Sequence, residues 1–196
     1  MITALALTFF LVANPLGNAP AIIALTKHFD FQRQRLILLR EAFFALLIAL
    51  FFQYFGEFFL GLLHLQSYAV TITGGLLLLL VGLSMIFPAG TGQEARDLRK
   101  QEPFIVPIAT PILSGPGLLA IIMLKSQLAE SHFQVTCAIL LAWVGVFAVL
   151  GMAPYLYRLL GKRGFGALEQ VMGMLLCLVA TEMLVKGSAL LINQWR

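Results

Sequence analysis

The sequence predicts an all-α membrane protein with six transmembrane helices, arranged as two inverted repeats of three helices each. Of its 196 residues, 60% are hydrophobic and only 11% are charged, whereas a soluble domain carries about a quarter charged residues. The mean hydropathy of +0.94 is too high for one soluble core of this size. The basic residues lie in short connections between apolar runs, which is typical of orienting charges at membrane helices and not of a nucleic-acid surface.

Length and breaks define the spans, because a helix that crosses a bilayer needs roughly 20 apolar residues. In chain order, the predicted spans are 2–26, 36–60, 67–88, 104–125, 133–157 and 167–190. The whole chain is one integral membrane domain. Its longest connection, 89–103, is rich in glycine and then in charge, and it separates repeat one (1–88) from repeat two (104–196).

Lysine and arginine predict the orientation of the spans. They concentrate in the first, third and fifth connections, whereas the second connection has none and the fourth has only Lys125. The odd-numbered connections, including the linker between the repeats, should therefore face the cytoplasm, and both termini should lie on the outer side. With three spans per repeat, the second repeat enters the membrane from the opposite side, which is a common plan among transporters.

Two sets of matching residues indicate the repeat. The third and sixth spans match at one constant offset, which pairs Gly75, Val81, Gly82, Ser84 and Met85 with Gly173, Val179, Ala180, Glu182 and Met183. Two proline motifs match at an offset two residues smaller; they are Asn14-Pro15-Leu16-Gly17-Asn18-Ala19-Pro20 and Thr110-Pro111-Ile112-Leu113-Ser114-Gly115-Pro116-Gly117. Proline removes a backbone donor and clashes with the preceding turn, so the motifs should break the first and fourth spans.

Matched breaks in two halves of a membrane protein indicate a substrate site. The exposed N-terminus of a half-helix favours a carboxylate, and the freed carbonyl groups favour an ammonium group or a cation. A small zwitterion could use both. The predicted substrate-binding residues are Asn14, Pro15, Gly17, Asn18, Thr110, Pro111, Ser114, Gly115 and Gly117. The alternative is that their polar groups only repair the broken helices.

Four further polar residues are candidates for lining the site or for coupling. Thr71 and Thr73 flank the close-packing Gly74-Gly75 pair. Glu182 lies deep in the sixth span, where it has either a proton-linked role or an ion pair with Lys186 four residues later. Glu41, near the cytoplasmic end of the second span, either anchors the interface or lines a gate.

The chain resembles the MarC family of bacterial inner-membrane proteins. The resemblance lies in the first motif (14–20), in the stretch from Glu102 to Pro116, in Arg40-Glu41 and in Gly74-Gly75. It implies a multi-pass protein of the bacterial inner membrane, so that both termini would be periplasmic. It also implies transport of a small neutral amino acid, of the glycine, alanine or threonine type, with export as the expected direction. We expect H⁺ or Na⁺ as the coupling ion, and the small size is compatible with a homo-oligomer.

Functions of other classes are weighed against transport. An ion or small-solute channel could use the breaks as a filter, and a non-transporting membrane partner protein is a further alternative. An intramembrane enzyme is not expected, because the sequence has no Ser/Lys or His/Asp pair and no GxGD-like motif. No cofactor is expected, and the lack of a metal-ligand cluster predicts no metal site.

Overall fold

The computed structural model describes residues 2–26, 29–87, 113–129 and 131–194. Within these ranges every regular element is a helix, which confirms the all-α prediction. The helices are α1 (Ile2–Ala13), α2 (Pro15–Thr26), α3 (Phe31–Leu62), α4 (Ser67–Ile86), α5 (Pro116–Leu128), α6 (His132–Gly161) and α7 (Arg163–Gln194).

Five helical segments in the described residues are long and apolar enough to cross a membrane. One is Ile2–Pro20, which combines α1 with the start of α2, and the others are α3, α4, α6 and α7. The predicted fourth span, 104–125, is described only from residue 113 onwards, where α5 contributes 13 residues. The linker 89–103 lies outside the described residues. The count of six spans and the cytoplasmic linker therefore stay predictions.

The connection between the last two spans is shorter than the sequence suggested. Instead of a loop over 158–166, α6 runs into α7 across a single non-helical residue, Gly161, with φ 62° and ψ −177°. This backbone conformation is almost restricted to glycine, so one residue suffices to redirect the chain. Arg158 and Arg163 accordingly lie in the ends of the helices and not in a loop.

One face of α3 is hydrogen-bonded to α5 and α6. The buried indole of Trp143 on α6 donates through Nε1 to the carbonyl oxygen of Ala42 at 2.8 Å. Further along, Gln53 donates through Nε2 to the carbonyl oxygen of His132 at 2.9 Å, and Ser126 of α5 donates to the carbonyl oxygen of Gln53 at 3.0 Å. In apolar surroundings such bonds satisfy polar groups that could not be left unpaired.

Glycine allows a different kind of contact between α4 and α7. A Cβ atom at Gly82 would lie 2.9 Å from the carbonyl oxygen of Gly173, and one at Gly173 would lie 2.8 Å from the carbonyl oxygen of Gly82. A Cβ atom at Gly75 would likewise lie 3.1 Å from the carbonyl oxygen of Ala180. Such close backbone approach is typical of small residues at membrane-helix interfaces.

Candidate functional site

The first proline motif lies at the junction of α1 and α2. Asn14 lies between the two helices with φ 49°, a left-handed conformation that asparagine adopts more readily than most residues. Its buried Oδ1 accepts a hydrogen bond from the backbone N–H of Gly17 at 3.1 Å. Pro15 takes the first helical position, where its missing N–H leaves nothing unpaired. Asn14 is therefore the N-cap of α2.

Asn18 directs its amide back towards the end of α1. Because the N–H of Gly17 is bound to the Asn14 side chain, the carbonyl group of Ala13 needs another donor, and Nδ2 of Asn18 provides it at 3.2 Å. Nδ2 of Asn14 in turn donates to Sδ of Met85 on α4 at 3.2 Å. These contacts favour the alternative in which both amides stabilise the junction of α1 and α2.

The second motif is described from Leu113 onwards, and the candidates Thr110 and Pro111 lie outside the described residues. Ser114 is fully buried, and its hydroxyl donates to the carbonyl oxygen of Ala45 on α3 at 2.8 Å. This bond gives Ser114 a structural partner across the helix bundle. Gly115 is the N-cap of α5 and has no side chain to pair with the first N–H groups of that helix.

The two motifs meet at one cavity of about 330 Å³. Asn14 and Asn18 line it from the first motif, and Gly115 and Gly117 line it from the second. The remaining lining residues are mostly apolar; they are Val12, Leu77, Leu78, Leu80, Val81, Pro116, Leu118 and Leu176. Its volume lies at the lower end of the range for small-molecule sites, roughly 300–1,000 Å³, and the few polar groups among apolar ones are also typical of such sites.

The other candidates from the two motifs do not line this cavity. Pro15 and Gly17 lie in the first turn of α2. Gly17 leaves no room for a side chain, because a Cβ there would contact Met85 and lie 2.6 Å from Nδ2 of Asn14. Ser114 precedes the lining residue Gly115, but its hydroxyl bonds to α3.

Neither threonine on α4 lines the cavity between the motifs. Thr71 is buried, and its hydroxyl donates to the carbonyl oxygen of Ser67 one turn earlier at 2.7 Å. Thr73 is exposed and borders a separate cavity of about 270 Å³. Gly74 faces α5, where a Cβ would lie 2.5 Å from that of Ala120. The glycines of α4 thus serve helix packing.

Glu182 is paired with Lys186, which is one of the two alternatives considered from the sequence. Nζ of Lys186 lies 2.8 Å from Oε1 of Glu182, and both side chains are more than half exposed. Neither residue lines the cavity between the motifs. In the described ranges, no group of three or more histidine, cysteine or acidic side chains is arranged so that it could hold a metal ion.

Glu41 is the buried carboxylate of α3. Its side chain is 0% exposed, and Oε1 accepts two hydrogen bonds from Arg40, from Nη2 at 2.9 Å and from Nε at 3.1 Å. Its other oxygen, Oε2, is also buried and has no hydrogen-bond partner in the part of the chain that the structure describes. Glu41 does not line the cavity between the motifs.

Some features of the site had no signal in the sequence. The partner of Ser114 is a backbone carbonyl 69 residues away, and any residue could supply that carbonyl. The apolar wall formed by Leu78, Val81 and Leu176 looks like any other leucine-rich stretch of a membrane helix. Met85 matched Met183 in the repeat, but its contact with Asn14 depends on how α4 packs.

Comparison with known proteins identifies the family. A model described as the MarC family integral membrane protein matches residues 1–192. The chain belongs to the MarC family. The relatives include the UPF0056 inner membrane protein YhgN of Escherichia coli strain K12, which is 40% identical over 183 residues and covers 93% of both chains.

Other bacteria carry similar chains of the family. A UPF0056 membrane protein of Buchnera aphidicola subsp. Baizongia pistaciae is 36% identical over 189 residues, or 95% of both chains. One from Chlamydia muridarum is 34% identical over 192 residues, or 96% of this chain and 93% of the relative. No solved structure matches this chain with significance. This protein is therefore an integral membrane protein, as its apolar helices also indicate, and its relatives include inner membrane proteins.

Proposed function

We propose that this protein is a transporter that carries a small neutral amino acid across the bacterial inner membrane by alternating access. The observation that carries the proposal is the shared cavity: two proline motifs separated by about half the chain contribute Asn14, Asn18, Gly115 and Gly117 to its wall. A break that served only to bend one helix would have no reason to meet the matching break of the other half. Substrate sites between broken helices are typical of transporters built from repeats.

The contacts between α4 and α7 support the inverted repeat. An offset of 98 residues relates Gly75 to Gly173, Gly82 to Ala180 and Met85 to Met183. The contact of Gly82 with Gly173 then corresponds to the contact of Ala180 with Gly75, and both are present. Likewise, Cβ of Met85 lies near Gly173 and Cβ of Met183 lies near Gly75. Such a self-complementary interface is what a two-fold axis produces.

The direction of these two helices supports inverted rather than parallel repeats. Gly82 contacts Gly173, whereas Gly75, earlier in α4, contacts Ala180, later in α7. Residue numbers therefore rise along α4 as they fall along α7, so that the helices are antiparallel. A repeat axis along the membrane normal would make corresponding helices parallel, whereas an axis in the membrane plane makes them antiparallel.

The lining of the cavity favours a solute without net charge. No acidic or basic side chain occurs among the described residues that line it, and an ion at that depth would need a counter-charge. The N-terminus of α5 favours a carboxylate, the Asn14 and Asn18 amides add hydrogen-bonding groups, and the leucine-rich wall suits a short aliphatic side chain. Together with the family resemblance, these features favour glycine, alanine or threonine.

Counterflow in proteoliposomes tests the proposal. Purified protein is reconstituted into vesicles loaded with one unlabelled amino acid, and entry of the same labelled amino acid is measured across a panel of neutral and charged amino acids. We expect saturable counterflow for small neutral ones. Linear uptake without counterflow would instead indicate a channel, and no movement of any neutral amino acid would overturn the substrate assignment.

Matched variants then test the cavity. Asn18→Ala removes an amide that lines it and should raise the KM for counterflow. Thr181→Ala is the control, because its hydroxyl is exposed and donates only one turn back, to Cys177. If Asn18→Ala and Thr181→Ala transport with the same KM at equal amounts of monodisperse protein, the cavity is not the substrate site.

A further inference from the structure

Glu41 is a deeply buried acidic residue, and only one of its carboxylate oxygens has a hydrogen-bond partner among the described residues. A charged carboxylate inside a membrane bundle is expensive and is retained where it has a function. The side chain of Arg40, the preceding residue, is 42% exposed, whereas the Glu41 side chain is 0% exposed. The guanidinium group therefore reaches inwards from a half-exposed position to a carboxylate that is entirely enclosed.

The described contacts of the Arg40–Glu41 pair engage only one of the two carboxylate oxygens. Residues i and i+1 of a helix do not face each other, so the Arg40 side chain has to turn back. The two guanidinium N–H groups that contact Glu41, on Nε and Nη2, both donate to Oε1, whereas a forked arginine–carboxylate pair uses both oxygens. Oε2, buried in the described part of the chain without a donor, is left as an acceptor for a small ligand.

On α3 itself, the nearest ionisable residue besides Arg40 is Arg35, six residues before Glu41 and so about 9 Å away along the helix axis. Of the helices packed against α3, α2 carries no ionisable side chain. Contacts place His132 of α6 at Gln53, twelve residues from Glu41, and Tyr155 and Arg158 of α6 at Phe31, ten residues from it, which is about 15 Å or more along the axis of α3. The other ionisable residues of α5 and α6 are Lys125, Cys137 and Tyr157. Arg40 is thus the charged group that Glu41 contacts within the described residues.

Glu41 is separate from the cavity but connected to it through α3. Ala45, four residues further along the same buried face, lies about 6 Å away along the helix axis and accepts the hydrogen bond of Ser114. Ser114 directly precedes Gly115, which lines the cavity. If a change in charge at Glu41 shifts α3, the hydrogen bond between Ala45 and Ser114 can therefore displace the start of α5. Glu41 need not contact the solute for this to occur.

From these observations we infer that Glu41 is the proton-binding residue that couples transport to the proton gradient; the inference rests on the transport function proposed above. Oε2 takes a proton from the water on one side of the membrane, which removes the buried charge and weakens the hold on Arg40. The proton leaves to the water on the other side after the bundle has rearranged, and the carboxylate pairs with Arg40 again.

The test compares driven transport with exchange in the same vesicles. At one proton per solute, a gradient of one pH unit supports a concentration ratio of up to about tenfold. We expect this ratio for wild type and a ratio near one for Glu41→Gln, while counterflow of the same solute persists in the variant. Glu57→Gln is the matched control: it neutralises an exposed carboxylate on the same helix and should keep the full driven ratio.

The outcomes separate the two proposals. If wild type shows no counterflow, the transport function fails and the coupling role with it. If wild type shows counterflow and Glu41→Gln still accumulates solute with the pH gradient, or if only a sodium gradient drives wild type, the role of Glu41 is overturned while transport stands.

Should Glu41→Gln not yield monodisperse protein, wild type is treated with dicyclohexylcarbodiimide, which modifies protonated carboxyl groups in apolar surroundings. Labelling at Glu41, located by mass spectrometry of peptides, should increase as the pH falls. The absence of labelling at any pH would overturn the inference.

Discussion

The close glycine contact between α4 and α7 predicts that alanine at Gly173 lowers the stability of the protein, whereas helix propensity alone predicts that alanine raises it. Replacing Gly173 by alanine places a Cβ 2.8 Å from the carbonyl oxygen of Gly82 and 2.9 Å from Cβ of Met85. Ordinary contact begins at 3.4 Å, so the two backbones must separate by about 0.6 Å. A gap of that size forfeits roughly a quarter to a half of the dispersion energy along the contact.

The free energies can be compared directly. Overpacking of this kind costs about 1–3 kcal/mol, whereas alanine in place of glycine within a helix gains about 1 kcal/mol. Gly173→Ala should therefore lower the stability by about 0–2 kcal/mol. Gly166→Ala is the control on the same helix, because a Cβ there meets nothing within 4 Å; it should gain up to about 1 kcal/mol.

The difference in stability between Gly173→Ala and Gly166→Ala is measured as a difference in apparent melting temperature in detergent. This temperature is the midpoint of the loss of monodisperse protein on heating. For a chain of this length, 1 kcal/mol shifts the melting temperature by about 2–4 °C, so the control should melt roughly 2–12 °C above Gly173→Ala. Gly75→Ala, whose Cβ would lie 3.1 Å from the carbonyl oxygen of Ala180, should lose stability in the same direction but less. A Gly173→Ala protein that melts at or above Gly166→Ala would refute the reasoning.

Substitutions at three further positions have defined outcomes in the same melting assay. Asn14→Ala removes the cap on Gly17 and puts alanine at φ 49°, and should cost about 1–3 kcal/mol; Asn14→Gly keeps the backbone conformation and should cost less. Gly161→Ala strains the connection at φ 62° and ψ −177° and should cost about 1–3 kcal/mol, although no atom lies within 4 Å of the new methyl group. Trp143→Phe leaves the bond to Ala42 unmade and should cost about 1–3 kcal/mol; unchanged melting in any of the three would contradict the corresponding contact.

The lengths of the apolar segments and the polar residues between them were enough to predict most of the helices. α3 and α4 correspond to predicted spans within a few residues at most ends, because their ends coincide with polar or turn-forming residues that the sequence displays. The connection at Gly161 was missed, since a single glycine at positive φ redirects the chain without the run of loop residues by which connections are recognised.

Some features of the candidate site could likewise be predicted from the sequence, whereas others depend on how the helices pack. The sequence pointed to both proline motifs, and the structure brings Asn18 and Gly115 to one cavity. It could not assign Ser114, because that hydroxyl bonds to a backbone carbonyl on another helix. Glu182 could be paired with Lys186 from their spacing alone, whereas the enclosure of Glu41 depends on which face of α3 the rest of the bundle covers.

The contrast between the two kinds of helix contact has a mechanical consequence. Hydrogen bonds at Ala42 and Gln53 cross-link α3 to α5 and α6, so that elements of both proposed repeats form one stiff frame. The α4–α7 contact rests on glycine-lined backbone surfaces, and sliding along it breaks no directional bond there. We therefore expect the moving boundary to run around the α4–α7 pair, against a frame that draws on both halves, and not between one half of the chain and the other.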